Sequence, residues 1–276
     1  MSSIGKIDFP NLTHTVEASD NDIIAVISDL HIGECFDNTF GKYNTNIAEQ
    51  RMIRYASEII SIAELHHTEN CYLSIQGDLI SSSIHKSIAI TNRENVIDQL
   101  KIATELIASF CYSLAPHFKN IYIYNVAGNH SRIDKKDDAI HDERLDSLVS
   151  WMLKFILKEV SNITVMENDI DSGISHFNIR GKEYVAVHGD MDPFTSKGAS
   201  DLITFLKYIP YAILSAHKHT CALEEFRGIK MIRSGSMNGS GNQNTIEKRL
   251  VGESSQMVCV CTAAGIKACY PINLNW

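Results

Sequence analysis

Seven side chains in this sequence have the types and the placement to hold metal ions. Asp29 and His31 stand two residues apart, directly after the apolar run Ile23–Ile27. Asp78 follows a second apolar run, Asn129 a third (with His130, not one of the seven, next to it), His188 a fourth, and His217 and His219 a fifth. Five of the twelve histidines thus fall at the ends of expected strands, beside carboxylates or an amide. Imidazole mixed with oxygen donors suits manganese, iron, zinc or nickel. An all-oxygen set would favour magnesium or calcium, and thiolates would favour structural zinc. Seven donors exceed the needs of one tetrahedral ion and match a pair of ions sharing a carboxylate.

These side chains converge only if the segments before them are strands whose carboxyl ends share an edge, where sites of α/β sheets collect. The pattern supports this. Strands are expected at about 22–28, 71–78 and 120–130, separated by amphipathic helices at 46–66 and 92–115, with Asn92 as the N-cap of the second and Pro116 ending it. A helix over about 144–159 follows. This alternation argues for parallel pairing through crossover helices. From residue 162 the pattern changes to short strand candidates at 162–167, 174–180, 183–188, 211–216, 221–226, 229–234, 256–262 and 265–270, which read mostly as antiparallel hairpins, with one helix at 199–208. Two packed mixed sheets flanked by helices, a four-layer αββα sandwich forming a single domain over 1–276, is the expected architecture.

Composition narrows the function. The chain of 276 residues is 44% hydrophobic, and its formal net charge is -8, which lowers the expectation of tight non-specific DNA binding. The N-terminal segment lacks the apolar core of a signal peptide, and no apolar run approaches the roughly 20 residues needed to cross a bilayer. A soluble, cytoplasmic protein is expected. The seven cysteines are odd in number and contain no CxxC pair, so they read as reduced core thiols.

The motifs SDLHIG, GDLI, GNH, HGD and AHKH, in that order between residues 29 and 219, resemble those of the calcineurin-like metallophosphoesterases. The resemblance implies a first metal held by Asp29, His31 and His219, a second held by Asn129, His188 and His217, and Asp78 bridging them. It also implies that His130 protonates the leaving group while a hydroxide generated by the two ions attacks phosphorus. Manganese is the expected ion, with iron, zinc, nickel or magnesium as alternatives. The compact motif style is similar to that of phage and bacterial phosphoesterases of the DNA-repair-exonuclease-like branch. A nucleic-acid or nucleotide phosphodiester is therefore the expected substrate, in a bacterium or a phage-infected host cell.

The alternatives are a phosphomonoesterase acting on a small metabolite or nucleotide, and a non-catalytic scaffold that keeps the fold. Departures from the family pattern are Ala216 for the glycine of G-H-x-H, and Ser81 where protein phosphatases carry the Asp that orients the catalytic histidine. The second argues against a protein phosphatase. Arg132 is a candidate phosphate clamp and His85 a candidate pocket residue. Phe194 and Lys197, in the loop 190–198, are candidate substrate contacts. The remaining histidines, His141 among them, read as solvated, and the Gly/Asn/Ser-rich segment 235–249 as mobile.

Overall fold

The structure, a computed structural model, describes residues 16–84, 86–136, 138–249 and 252–275. The elements in chain order are β1 (Asn21–Ile27), β2 (Phe36–Asn38), β3 (Gly41–Tyr43), α1 (Thr45–His66), β4 (Thr68–Ile75), α2 (Lys86–Ala89), α3 (Val96–Leu114), β5 (Asn120–Asn125), α4 (Asp146–Ile156), β6 (Ile163–Val165), β7 (Ile174–Ile179), β8 (Lys182–Val187), α5 (Ser196–Leu206), β9 (Ala212–Ser215), β10 (Ala222–Phe226), β11 (Ile229–Arg233), α6 (Gln243–Glu247), β12 (Ser255–Thr262) and β13 (Gly265–Asn273).

The strands form two large sheets, ordered β13-β12-β1-β4-β5-β6 and β10-β11-β9-β8-β7, beside the small β2-β3 hairpin. In the first sheet β1, β4, β5 and β6 run parallel, as their crossover helices require, and the β12-β13 hairpin closes one edge antiparallel to β1. The second sheet departs from the expected hairpin pattern. β9 pairs in parallel with both β8 and β11, because α5 carries the chain back across the sheet between β8 and β9.

Three apolar layers account for the stacking. Ile23, Ala25 and Ile27 of β1 pack with α1, α3 and α4 on the outer face of the first sheet. Ile24 and Val26, on the opposite face of the same strand, pack against Phe177, Tyr184, Ala186 and Leu214 of the second sheet. Val185, Val187 and Ile213 turn outward to meet Ala199 and Leu202 of α5. The alternation of side chains along a strand thus builds helix, sheet, sheet and helix layers in turn. β1 is apolar on both faces because both are covered, and each such side chain contributes about 1.5–3 kcal/mol on burial. Tyr55 of α1 pins the first layer: its hydroxyl accepts from the Val26 amide at 3.2 Å and donates to the Met257 carbonyl at 3.0 Å.

Local details differ from the sequence reading. Asn95, not Asn92, caps α3, accepting from the Ile97 and Asp98 amides, while Asn92 donates to the Ser82 carbonyl. Ile53 of α1 is 63% exposed, and Arg51 and Tyr55 occupy the buried face instead. Ser236–Asn242, within the segment expected to be mobile, is buried throughout. The cause is Glu34, which is 1% exposed and accepts from the side-chain amides of Asn238 and Asn242. Arg51 further donates to the carbonyls of Met237 and Asn238. Met237, fully buried in the core, is its one apolar residue, so most of its order comes from hydrogen bonds that composition does not reveal.

Candidate metal centre

The loops after β1, β4, β5, β8 and β9 meet at one end of the two sheets, and each carries candidate ligands. The ladder between β1 and β4 continues past the strands. The Asp29 amide donates to the Gly77 carbonyl and the His31 amide to the Asp78 carbonyl, both at 3.0 Å. The Ala216 amide donates to the His188 carbonyl at 2.8 Å, and the His217 amide reaches across to Asp29 Oδ2 at 3.3 Å. The ends of the two sheets are thereby tied to each other at the site itself.

Five of the candidate ligands have left-handed backbones: Asp29 (φ 50°), His31 (φ 48°), Asp78 (φ 51°), His217 (φ 68°) and His219 (φ 56°). This conformation costs a non-glycine residue roughly 1 kcal/mol. It turns each side chain sharply off the strand direction into the space between the sheets' ends. Gly77 and Gly128 allow the loops to touch. A Cβ on Gly77 would lie 2.3 Å from the Gly128 nitrogen.

Two groups of donors result, each with its ligand atoms within 4.8 Å of one another: Asp29, His31 and His219; and Asp78, His188 and His217. Asp78 also groups with His31 and His130, so it lies between the two. In the first group His219 Nε2 is 3.2 Å from Asp29 Oδ1 and 3.3 Å from His31 Nε2. In the second, His188 Nε2 is 3.2 Å from Asp78 Oδ2 and 3.2 Å from Asn129 Oδ1. His188 Nδ1 faces the Gln76 carbonyl at 2.7 Å. A carbonyl only accepts, so Nδ1 carries the proton and Nε2 presents its lone pair to the centre, the arrangement typical of metal-ligating histidines.

Charges are strongly coupled here. Burial works to raise the Asp29 and Asp78 carboxyls, yet both are held below the usual carboxylate range, Asp29 by the charge of His219 and Asp78 by those of His188 and His130. Burial opposes charging of His31 and His188, but the Asp29 carboxylate pushes His31 up to about 9, and the charge of Asp78 pushes His188 up to about 10. His217 is pushed down to about 4, by burial and then by the charge of His188. In the first group, the fully buried Asp29 Oδ1 faces the imidazole nitrogens of His219 and His31, and those two nitrogens also face each other. A divalent cation resolves this, and the mixed nitrogen and oxygen donors fit manganese, iron or zinc.

His130 stands beside the donors, its ring edge-on to His31 with centroids 4.5 Å apart. Its amide donates to Asp78 Oδ1 at 2.7 Å, and its Nδ1 faces the Ser81 carbonyl at 3.1 Å. The backbone carbonyl of Ser81 thus orients the ring.

The other sequence candidates are outside the donor groups. Arg132 is buried, its backbone bridged to Arg144, and its Nε lacks a hydrogen-bond partner among the described residues. His85 lies outside the described residues. Lys197 is exposed and paired with Asp201, and the Phe194 ring lies under the Arg233 guanidinium at 4.7 Å. Neither lines the cavity of about 290 Å³ that opens against His188. That cavity is walled by Ala127, Ile174, Leu202 and Phe205, with Asp171, Asp190 and Asp192 among its polar residues. His141, read as solvated, also borders it, paired with Asp171 at 2.8 Å.

Sequence reasoning missed Asp146. It is fully buried, and its Oδ2 accepts from the amides of Asp78 and Gly128, both at 3.0 Å. Burial, reinforced by the charge of Asp78, pushes it up to about 6. At the first position of a helix, an acidic residue reads simply as favourable to the helix dipole.

No family model and no curated protein matches the chain. Solved structures do match. An archaeal phosphodiesterase shares 12% identity at a TM-score of 0.44, covering 91% of this chain and 99% of its own. Vps29 from Entamoeba histolytica complexed with Zn2+ shares 10% at 0.38, covering 92% and 99%. A predicted phosphoesterase from Streptococcus pneumoniae shares 11% at 0.37, covering 93% and 99%. The two-sheet sandwich is the architecture the motif resemblance implied, and residues of the five motifs meet at one end of it. The architecture agrees with the metallophosphoesterase fold expected from the motifs.

Proposed function

We propose that the protein is a phosphoesterase using two divalent cations, manganese foremost, to hydrolyse phosphodiester bonds of nucleotide or nucleic-acid type. The observation that carries the reading is the pair of donor groups with Asp78 between them and His130 at their edge. Asp29, His31 and His219 would hold one cation, Asn129, His188 and His217 the other, and Asp78 both. Bound cations would offset the charge of the phosphate ester and make water acidic enough to react near neutral pH.

The residues around them supply orientation and proton transfer. His130 Nδ1, donating to the Ser81 carbonyl, fixes the ring and leaves Nε2 as the atom that passes a proton to the departing oxygen. Arg132, buried with an unpartnered Nε, is the candidate to grip a phosphate oxygen.

One observation favours a second reading, a small ester rather than a polymer. The cavity beside His188 carries Asp171, Asp190 and Asp192, and burial together with the charges of Asp190 and Asp171 raises the Asp192 carboxyl. With Asp201 these make four aspartates against Arg144 and His141 in the same lining, a balance that disfavours a long polyanion. Hydrolysis of bis-p-nitrophenyl phosphate against p-nitrophenyl phosphate, with Mn2+ and an Asp78→Asn blank, separates the readings. Preference for the diester supports the first, and preference for the monoester overturns it in favour of a small-molecule phosphatase. Absence of activity together with absence of bound metal returns the chain to the scaffold alternative.

A further inference from the structure

The loops of the second and third motifs are in backbone contact, and one buried carboxylate bridges them. A Cβ on Gly128 would lie 2.2 Å from the Asp78 nitrogen, so neither loop can approach or withdraw without the other. Asp146 Oδ2 receives both loops' amides, Asp78 N–H and Gly128 N–H, at 3.0 Å each. Asp146 is itself held from below. The Leu145 amide donates to the Ser131 carbonyl at 2.8 Å, and Ser131 Oγ donates to the Gly128 carbonyl at 2.8 Å. α4 therefore delivers its first residue to a point fixed by the third motif.

We infer that Asp146 is a positioning residue that sets the distance between Asp78 and Asn129, and with it the affinity for the cation those two share. The inference rests on the ligand set proposed above, and it acts through geometry. Asp78 Oδ2 and Asn129 Oδ1 each lie 3.2 Å from His188 Nε2. Both follow directly from the two amides that Asp146 accepts: Asp78 carries one, and Asn129 succeeds Gly128, which carries the other. If the carboxylate is removed, two buried amides lose their acceptor, and the loops keep only the His130 bonds to Asp78 Oδ1 and the Ser81 carbonyl beside their van der Waals contact. The position of Asp146 at a helix start, in a charged stretch with no motif, leaves no trace of this in the sequence.

The test compares Asp146→Ala with Asp146→Asn, whose amide oxygen can still accept both N–H groups. Mn2+ affinity and stoichiometry are measured by calorimetry on metal-stripped protein, beside melting temperature. Loss of an outer partner of a ligand costs about 10–100-fold in metal affinity. Asp146→Ala is expected to lose that much for one of two bound cations, and Asp146→Asn to stay within about threefold of the parent. Should the alanine variant not fold, Asp146→Ser gives the same reading, since its hydroxyl is too short to span both amides. Parent affinity in the alanine or serine variant overturns the inference, as does equal weakening in the asparagine variant, which would assign the effect to charge. A parent chain that binds no Mn2+ overturns the ligand set itself.

Discussion

Gly128→Ala tests whether the contact between the second and third motifs governs the centre. The added methyl would stand 2.2 Å from the Asp78 nitrogen and 2.2 Å from Asp78 Oδ1, against an ordinary contact of at least 3.4 Å. Something must move by about 1.2 Å, the gap between those two distances. The Asp78 nitrogen is fixed by Asp146 and its carboxylate by the His130 amide, so the displacement falls on the shared ligand. Overpacking of this kind costs about 1–3 kcal/mol. At about 2–4 °C per kcal/mol for a chain of this size, the melting temperature should fall by several degrees. A displacement near 1 Å in a catalytic group costs about 10²-fold in rate. The assay is threefold: bound Mn2+ per chain by atomic absorption after dialysis, turnover of bis-p-nitrophenyl phosphate, and thermal melting. A variant with parental metal content, turnover within threefold and an unchanged melting point would show that the loops are not packed as described. A lowered melting point with full metal content and turnover would show that the contact supports the fold but not the centre.

Further perturbations probe other parts of the site. His130→Ala should keep its metal content and lose about 10²–10⁴ in rate on esters with poor leaving groups, with less loss on nitrophenyl esters; equal loss on both would remove its role as an acid. In the metal-free protein His31 and His188, raised to about 9 and 10, hold protons at neutral pH that a cation must displace. Metal affinity should therefore rise with pH up to that range and fall as pH is lowered, with about two protons released at pH 7. Calorimetry in two buffers of different ionisation enthalpy counts them, and a count near zero would contradict the ligand assignment. Glu34→Ala strands the side-chain amides of Asn238 and Asn242, should cost about 2–3 kcal/mol in urea unfolding, and should expose 236–242 to proteolysis. Asp192→Asn should raise kcat/KM on substrates with an anionic leaving group by about two- to tenfold and leave neutral ones unchanged; no difference would detach the cavity from substrate binding.

The ligand-bearing strands were legible because each buries both faces or one whole face. Their apolar runs end abruptly at polar residues, and the motif residues stand at those ends. Asp29, His31, Asp78, Asn129, His188, His217 and His219 lie together at those ends. What the sequence concealed depends on partners remote in the chain. Asp146 acts on backbone amides, which have no sequence signature. Glu34 orders a segment about 200 residues away whose composition reads as mobile. The parallel pairing of β9 on both sides follows from where α5 returns the chain, and short strands of the same composition suit hairpins equally well.

The left-handed backbones at Asp29, His31, Asp78, His217 and His219 bear on how this protein can be inactivated and how it can vary. Alanine at any of these positions removes a ligand and also strains the chain, so alanine scanning confounds two losses. Asparagine, which tolerates this conformation, removes donor charge or an imidazole with less backbone penalty. Glycine goes further: by relieving strain it should leave an inactive protein that melts higher than the metal-free parent. A lineage released from the need for activity would therefore gain stability by losing its ligands at these positions one at a time. Holding all five side chains in this conformation therefore costs the fold stability that glycine would return.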